Sequence, residues 1–163
     1  MANAVRRIGV FTSGGDAPGM NAAIRSVVRT SLHMGIECIG IRRGYNGLVN
    51  GDFIPLDFES VSGLSRRGGT MLYSARSEDF RGEAGQEKAV ATCKLLGLEG
   101  VVGIGGDGTF RGLLELSRRG VAVVGLPGTI DNDIACSTYT IGFDTACNTA
   151  LDSIDKLRDT MQS

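Results

Sequence analysis

The residues with the most chemical potential lie in Val101 to Phe110, VVGIGGDGTF, where four glycines surround one carboxylate, Asp107. Glycines remove the Cβ atoms that keep an anion away, and N–H groups at a helix N-terminus offer it partners along a favourable dipole. A phosphate suits such a turn. Asp107 would repel that phosphate unless a divalent cation lay between them, so the carboxylate points to a metal–nucleotide site, with a plain strand-to-helix turn as the alternative. Asp131 and Asp133 of IDND are a second candidate. In an extended segment, residues two apart point the same way and lie about 7 Å apart. At an effective dielectric near 20 their repulsion is about 2.4 kcal/mol, or roughly two pKa units, which a cation or a shared proton must offset. Such a pair suits metal-assisted proton abstraction; a solvated Asx turn is the alternative. Arg76 follows Ser74-Ala75, where a guanidinium would clamp phosphate oxygens in a bidentate fork or simply lie on the surface. His33 reads as a solvent-facing imidazole, and Arg25 with Arg29 as a solvated helix face.

Two familiar nucleotide signatures fit less well. Gly103-x-Gly105-x-x-Gly108 matches the dinucleotide fingerprint, but Asp107 would then face a pyrophosphate without a role, and Asp131 lies beyond a Pro-Gly turn. A Walker A loop is excluded because none of Lys88, Lys94 and Lys156 follows a glycine.

The elements that must position these residues alternate between strand and helix. Val5 to Thr12 is a strand ending in Ser13-Gly14-Gly15-Asp16, and Pro18 opens a helix running to about Met34, with Ile24, Val27, Val28 and Leu32 inward. Ile36 to Ile41 is the next strand, followed by a loop containing Gly44 and Gly47. Asn50 to Phe80 reads as mostly loop, with an edge strand at Phe53-Ile54-Pro55-Leu56 because of its proline. Gln86 to Leu96 is a helix with Ala89, Val90, Cys93 and Leu96 inward. After the glycine turn a helix presents Phe110, Leu113, Leu114 and Ser117 on one face and a Glu115–Arg119 pair on another. Val121 to Leu126 is a continuous apolar run, as for a strand covered on both sides. Phe143, Ala146, Cys147, Ala150, Leu151, Ile154, Leu157 and Met161 trace the longest amphipathic helix, still in pattern where the sequence stops, so the chain reads as a fragment. The alternation predicts an α/β fold with a largely parallel sheet, helices on both faces and ligands at the carboxyl ends of strands.

Composition narrows the function classes. The 163 residues suit one domain, and 17 basic against 18 acidic residues leave no broad footprint for nucleic acid or anionic lipid. Cys38, Cys93, Cys136 and Cys147 are far apart, which suggests reduced, mostly buried thiols and neither a disulfide framework nor a zinc site. No apolar run approaches the eighteen or so residues of a membrane span, and MANAVRR lacks an export core, so a soluble cytoplasmic protein is expected.

Four motifs occur together and in order: TSGGDAPGMNAAIR (Thr12 to Arg25), GGDGT (Gly105 to Thr109), PGTIDND (Pro127 to Asp133) and TIGFDTA (Thr140 to Ala146). In them the chain resembles the ATP-dependent 6-phosphofructokinases, over nearly its whole length but over only the first half of a family member. GGDGT alone is also similar to a signature of NAD kinases and diacylglycerol kinases. The resemblance implies a three-layer αβα fold in which residues 1–163 are the ATP-binding N-terminal domain, with the C-terminal sugar-phosphate domain missing. It implies transfer of the γ-phosphoryl group of Mg-ATP to the 1-hydroxyl of fructose 6-phosphate, in glycolysis, by a homo-oligomer, a tetramer, with this isolated half expected to be silent. By matching position, Gly15, Arg76, Ser77, Gly106, Asp107, Gly108 and Thr109 would line the ATP site, and Asp107 would hold Mg²⁺. Asp131 would be the base that takes the hydroxyl proton, with Thr129 and Asp133 beside the sugar and metal and Ile130 also on the substrate. Pyrophosphate-dependent relatives carry Asp and Lys where this chain has Gly108 and Gly128, so bare backbone favours ATP. Arg25 and Arg29 match the family's effector arginines, but Phe58 and Gly63 replace the Arg and Asp that accompany them. A nucleotide-binding module without activity of its own, a pyrophosphate-dependent enzyme and a NAD kinase relative are the competing readings.

Overall fold

In the central strands, successive side chains face opposite ways, and each face acquires its own core. Val10 points toward Met20, Ile24 and Val28, while Phe11 points toward Tyr45, Leu48, Ala89, Leu113 and Leu116. Burying an aliphatic or aromatic side chain contributes roughly 1.5–3 kcal/mol, so the two clusters clamp the sheet from both sides. The structure is a computed structural model and describes residues 5–135 and 137–161.

The strands are β1 (Arg7–Thr12), β2 (Glu37–Ile41), β3 (Phe53–Leu56), β4 (Gly100–Gly105) and β5 (Val123–Pro127). They lie in the order β3-β2-β1-β4-β5. All neighbours are parallel except β3, which runs antiparallel to β2 at the edge, where Pro55 costs no central ladder bond. The helices are α1 (Met20–His33), α2 (Tyr45–Asn50), α3 (Glu83–Leu95), α4 (Asp107–Arg118) and α5 (Phe143–Met161). Helix α1 covers one face; α2, α3 and α4 cover the other. This is the three-layer α/β arrangement expected from the alternation.

Four local expectations change. Residues 45–50, expected as loop, form α2; Gly44 at φ +60° and Gly51 at φ +72° bracket a helix too short to show periodicity. On α4 the inward residues are Leu113 and Leu116 with Phe110 packed against them, while Leu114 is half-exposed and Ser117 is exposed, so the buried stripe is rotated from the expected one. Strand β5 lies at the sheet edge beside β4 among the described residues, and it is not covered on both faces: Phe110 packs on Gly125 while Val124 is exposed. The apolar positions Leu151, Ile154, Leu157 and Met161 of α5 are exposed, as is Cys147; α5 has no buried residue. Cys38 and Cys93 are buried as expected, and burial pushes their thiols up to about 12 and about 11. Cys136 lies outside the described residues.

Candidate active site

Because β1, β4 and β5 are parallel neighbours, the loops that follow them leave the sheet at the same edge. The chain turns from β1 into α1 on one face and from β4 into α4 on the other, and a crevice opens where such connections diverge. The crevice is a cleft of about 830 Å³. Its floor is main chain. Ser13 N donates to the Ile104 carbonyl (3.1 Å), Thr109 Oγ1 donates to the Ser13 carbonyl (3.1 Å), and Gly128 N donates to the Gly105 carbonyl (3.1 Å). These bonds fasten the three loops to one another.

Glycine is required at the centre of this knot. A Cβ on Gly105 would overlap Thr109 Oγ1 and lie 2.5 Å from the Ser13 carbonyl oxygen. At Gly15 and Gly108, by contrast, a Cβ would meet nothing within 4 Å, so these two present bare backbone to the cleft. Gly128 differs from the sequence-based expectation. Its missing Cβ points at Ile104 Cγ2, 2.8 Å away, and Gly128 is buried and does not line the cleft, so its glycine serves close packing of the loop on the core.

Helix α4 begins at Asp107, and its first turn faces the cleft with Gly106, Asp107, Gly108 and Thr109. The Tyr45 hydroxyl donates to the Thr109 carbonyl at 2.5 Å from a ring stacked on Phe80 and packed edge-on to Phe11. Burial pushes the Tyr45 phenol far above its ordinary value, which keeps it a neutral donor.

The acidic loop is folded around Thr140. Thr140 Oγ1 donates to the Thr129 carbonyl (2.6 Å), Thr140 N donates to Asn132 Oδ1 (3.0 Å), and Ile141 N donates to the Pro127 carbonyl (2.7 Å). Asn132 takes a left-handed conformation at φ +50°. Residues 131–133 therefore form a bend, not the extended segment assumed from spacing, yet Asp131 and Asp133 still line one cavity. Thr129 Oγ1 accepts from Asp131 N (3.2 Å) and donates to Asp131 Oδ2 (3.3 Å), holding that carboxylate at the cleft wall.

The structure brings Gly15, Arg76, Ser77, Gly106 to Thr109, Thr129, Ile130, Asp131 and Asp133 to this one cleft. Arg25 and Arg29 lie elsewhere. Arg29 sits over the Phe58 ring, 5.6 Å from its centroid, beside a separate shallow hollow shared with Thr30 and His33. Arg25 is half-buried, and its Nε has no hydrogen-bond partner among the described residues.

The family model for phosphofructokinase matches residues 7–163. The chain belongs to the phosphofructokinase family. It is 60% identical over 159 residues to the ATP-dependent 6-phosphofructokinase of Clostridium botulinum, a match covering 98% of this chain and 50% of that protein. To the enzyme of the same name from Halothermothrix orenii it is 58% identical, over 98% of this chain and 48% of the relative. The chain thus spans about half the length of the curated relatives it matches. The solved phosphofructokinase of Saccharomyces cerevisiae superposes with a TM-score of 0.86 at 34% identity, over 95% of this chain and 24% of that one.

Several residues of this phosphofructokinase cleft escaped the sequence reading. Tyr45 and Phe80 reach it from segments read as loop, and Arg81, Arg111 and Glu115 reach it from helical turns. The available signal was helical spacing: Arg111 stands one turn after Asp107, and Glu115 one turn after Arg111.

Proposed function

We propose that this chain is the nucleotide-binding half of an ATP-dependent 6-phosphofructokinase, which moves the γ-phosphoryl group of ATP to the 1-hydroxyl of fructose 6-phosphate. The observation that carries the reading is the convergence of Gly15, the first turn of α4 and the acidic loop on one cleft, in a chain 60% identical to enzymes of that name. Phosphoryl transfer asks a protein for positioning, charge neutralisation and a base beside the nucleophile, with little covalent chemistry. Gly15 and Gly106 to Thr109 meet the first need: open backbone and the N-terminus of α4 receive phosphate oxygens, with the Arg76 guanidinium beside them.

Mg²⁺ fits the donors present. Among the described residues there is no cluster of three or more His, Cys, Asp or Glu side chains that would cage a metal. Magnesium is commonly held by one or two carboxylates plus substrate phosphates and water, which is what Asp107, exposed at the mouth of a phosphate cradle, offers. When bound, the ion would neutralise charge on the phosphates. Asp131 would accept the proton of the sugar hydroxyl, oriented by Thr129, with Ile130 and Asp133 alongside. Open space at Gly108 leaves room for a nucleotide and favours ATP over bare pyrophosphate as donor. Residues 1–163 would form the N-terminal domain, with the sugar-phosphate domain supplied by the other half of the protein. A cytoplasmic homotetramer and the glycolytic role belong to the same proposal; no described helix is long and apolar enough to cross a membrane.

The test is a fusion of this chain to the C-terminal half of the Clostridium botulinum relative, assayed with fructose 6-phosphate and Mg-ATP. Turnover is expected for the fusion and not for the isolated chain. Asp131→Asn in the fusion should lower kcat by at least the 10²–10⁴-fold typical of a lost general base. Unchanged turnover in that variant would remove Asp131 from its role.

A further inference from the structure

The cleft carries an ion pair that its proposed chemistry does not use. Arg111 Nη2 lies 2.9 Å from Asp107 Oδ2, one helical turn along α4, and both side chains are exposed and line the cleft. Of the other charges on the cleft, Glu115 pairs with Arg118 and Arg119 and Arg81 pairs with Glu78, while Asp16, Arg76, Asp131 and Asp133 line it without an ion pair among the described residues. Asp107 is the carboxylate that stands at the mouth of the glycine cradle, where an unneutralised negative charge would repel incoming phosphates.

We propose that Arg111 stands in for the cation at Asp107: its guanidinium neutralises the carboxylate in the nucleotide-free chain and gives way when a metal–nucleotide complex arrives. This inference rests on the reading of the cleft as a nucleotide-phosphate site. The pair is suited to be displaced, because an exposed i,i+4 ion pair is worth little and both side chains reach solvent. Arg111 is also long enough to turn its charge toward phosphate once Asp107 is taken. The consequence is asymmetric. Without a divalent cation, Arg111 is the described side chain paired directly with Asp107, so its loss exposes that charge to the phosphates and should weaken binding. With the cation present, Arg111 attracts phosphate and repels the ion at once, and the two effects largely cancel.

ATP binding to the chain, measured by titration calorimetry in Mg²⁺ and again in excess EDTA, reads this directly. For Arg111→Gln, affinity in EDTA is expected to fall by about five- to twentyfold, the scale of one or two unit charges at close range in a water-like dielectric. In Mg²⁺ it should change by less than about threefold, and Arg111→Lys should behave like the parent chain because it keeps the charge. An equal loss under both conditions, or no loss in either, would overturn the proposal while leaving the nucleotide reading intact. Failure of the parent chain to bind ATP in Mg²⁺ would overturn both.

Discussion

Two glycines three residues apart should respond in opposite ways to the same substitution. Gly105 ends β4, where an added methyl would overlap Thr109 Oγ1 and press within 2.5 Å of the Ser13 carbonyl oxygen. Backbone does not yield as a flexible side chain does, so Gly105→Ala must push β1 and β4 apart at the knot that joins their loops. Overpacking of this kind costs about 1–3 kcal/mol, which in a domain of this size lowers the melting temperature by roughly 2–12 °C. Gly108 lies in the first turn of α4 with open space where its Cβ would be. There Ala should be neutral or stabilising by up to about 1 kcal/mol, since it lowers the entropic cost of ordering the helix. Yet its methyl would occupy the mouth of the cradle, and Mg-ATP affinity should fall by roughly tenfold, the scale on which a pocket senses one methylene. Thermal unfolding followed by circular dichroism, with calorimetric titration of Mg-ATP, reads both effects. A Gly105→Ala chain as stable as the parent, or a Gly108→Ala chain that loses stability and keeps its affinity, would refute the packing argument.

Other perturbations test the parts separately. Thr140→Val should cost about 1–3 kcal/mol in urea unfolding because it strands the Thr129 carbonyl, and Thr140→Ser should recover most of it. Loss of the Tyr45 hydroxyl in Tyr45→Phe removes the donor to Thr109 and should cost a similar amount, with Mg-ATP affinity reduced as the first turn of α4 loosens. Alkaline pH should destabilise the fold. Cys38 and Cys93 are held above their ordinary value of 9.0, so the unfolded chain loses these protons first, and their stabilising contribution, complete below pH 9, is lost as pH rises toward 11–12. Each thiol adds a slope of at most about 1.4 kcal/mol per pH unit, and Cys38→Ala should remove its share. In native chain, iodoacetamide labelling read by peptide mass mapping should reach Cys147 and spare Cys38 and Cys93.

What was legible in the sequence was whatever rests on local chemistry. Glycine runs after apolar strands marked the three loops, and parallel neighbours delivered all three to one edge, so Gly15, Gly106 to Thr109, Thr129, Ile130, Asp131 and Asp133 line one cleft. Helices α1 and α3 followed from periodicity because each packs one face on the sheet. The misses share a cause: they depend on what lies across space. The apolar run before Pro127 looks fully covered from sequence, but among the described residues nothing packs over Val124. The same holds for the α5 stripe. Asp131 and Asp133 were placed on one side by assuming an extended backbone; Asn132 at φ +50° breaks that geometry, and the Thr140 clasp, eleven residues from Thr129, restores their convergence. Tyr45 was invisible because its role comes from a partner 64 residues away.

The most direct test of the central claim is a backbone amide NMR titration of this 17.1 kDa chain with Mg-ATP. The largest shifts are expected at Gly15, Gly106, Asp107, Gly108 and Thr109, with smaller ones along residues 128–133. Shifts confined to the hollow beside Arg29 and Phe58, or none at saturating nucleotide, would contradict it.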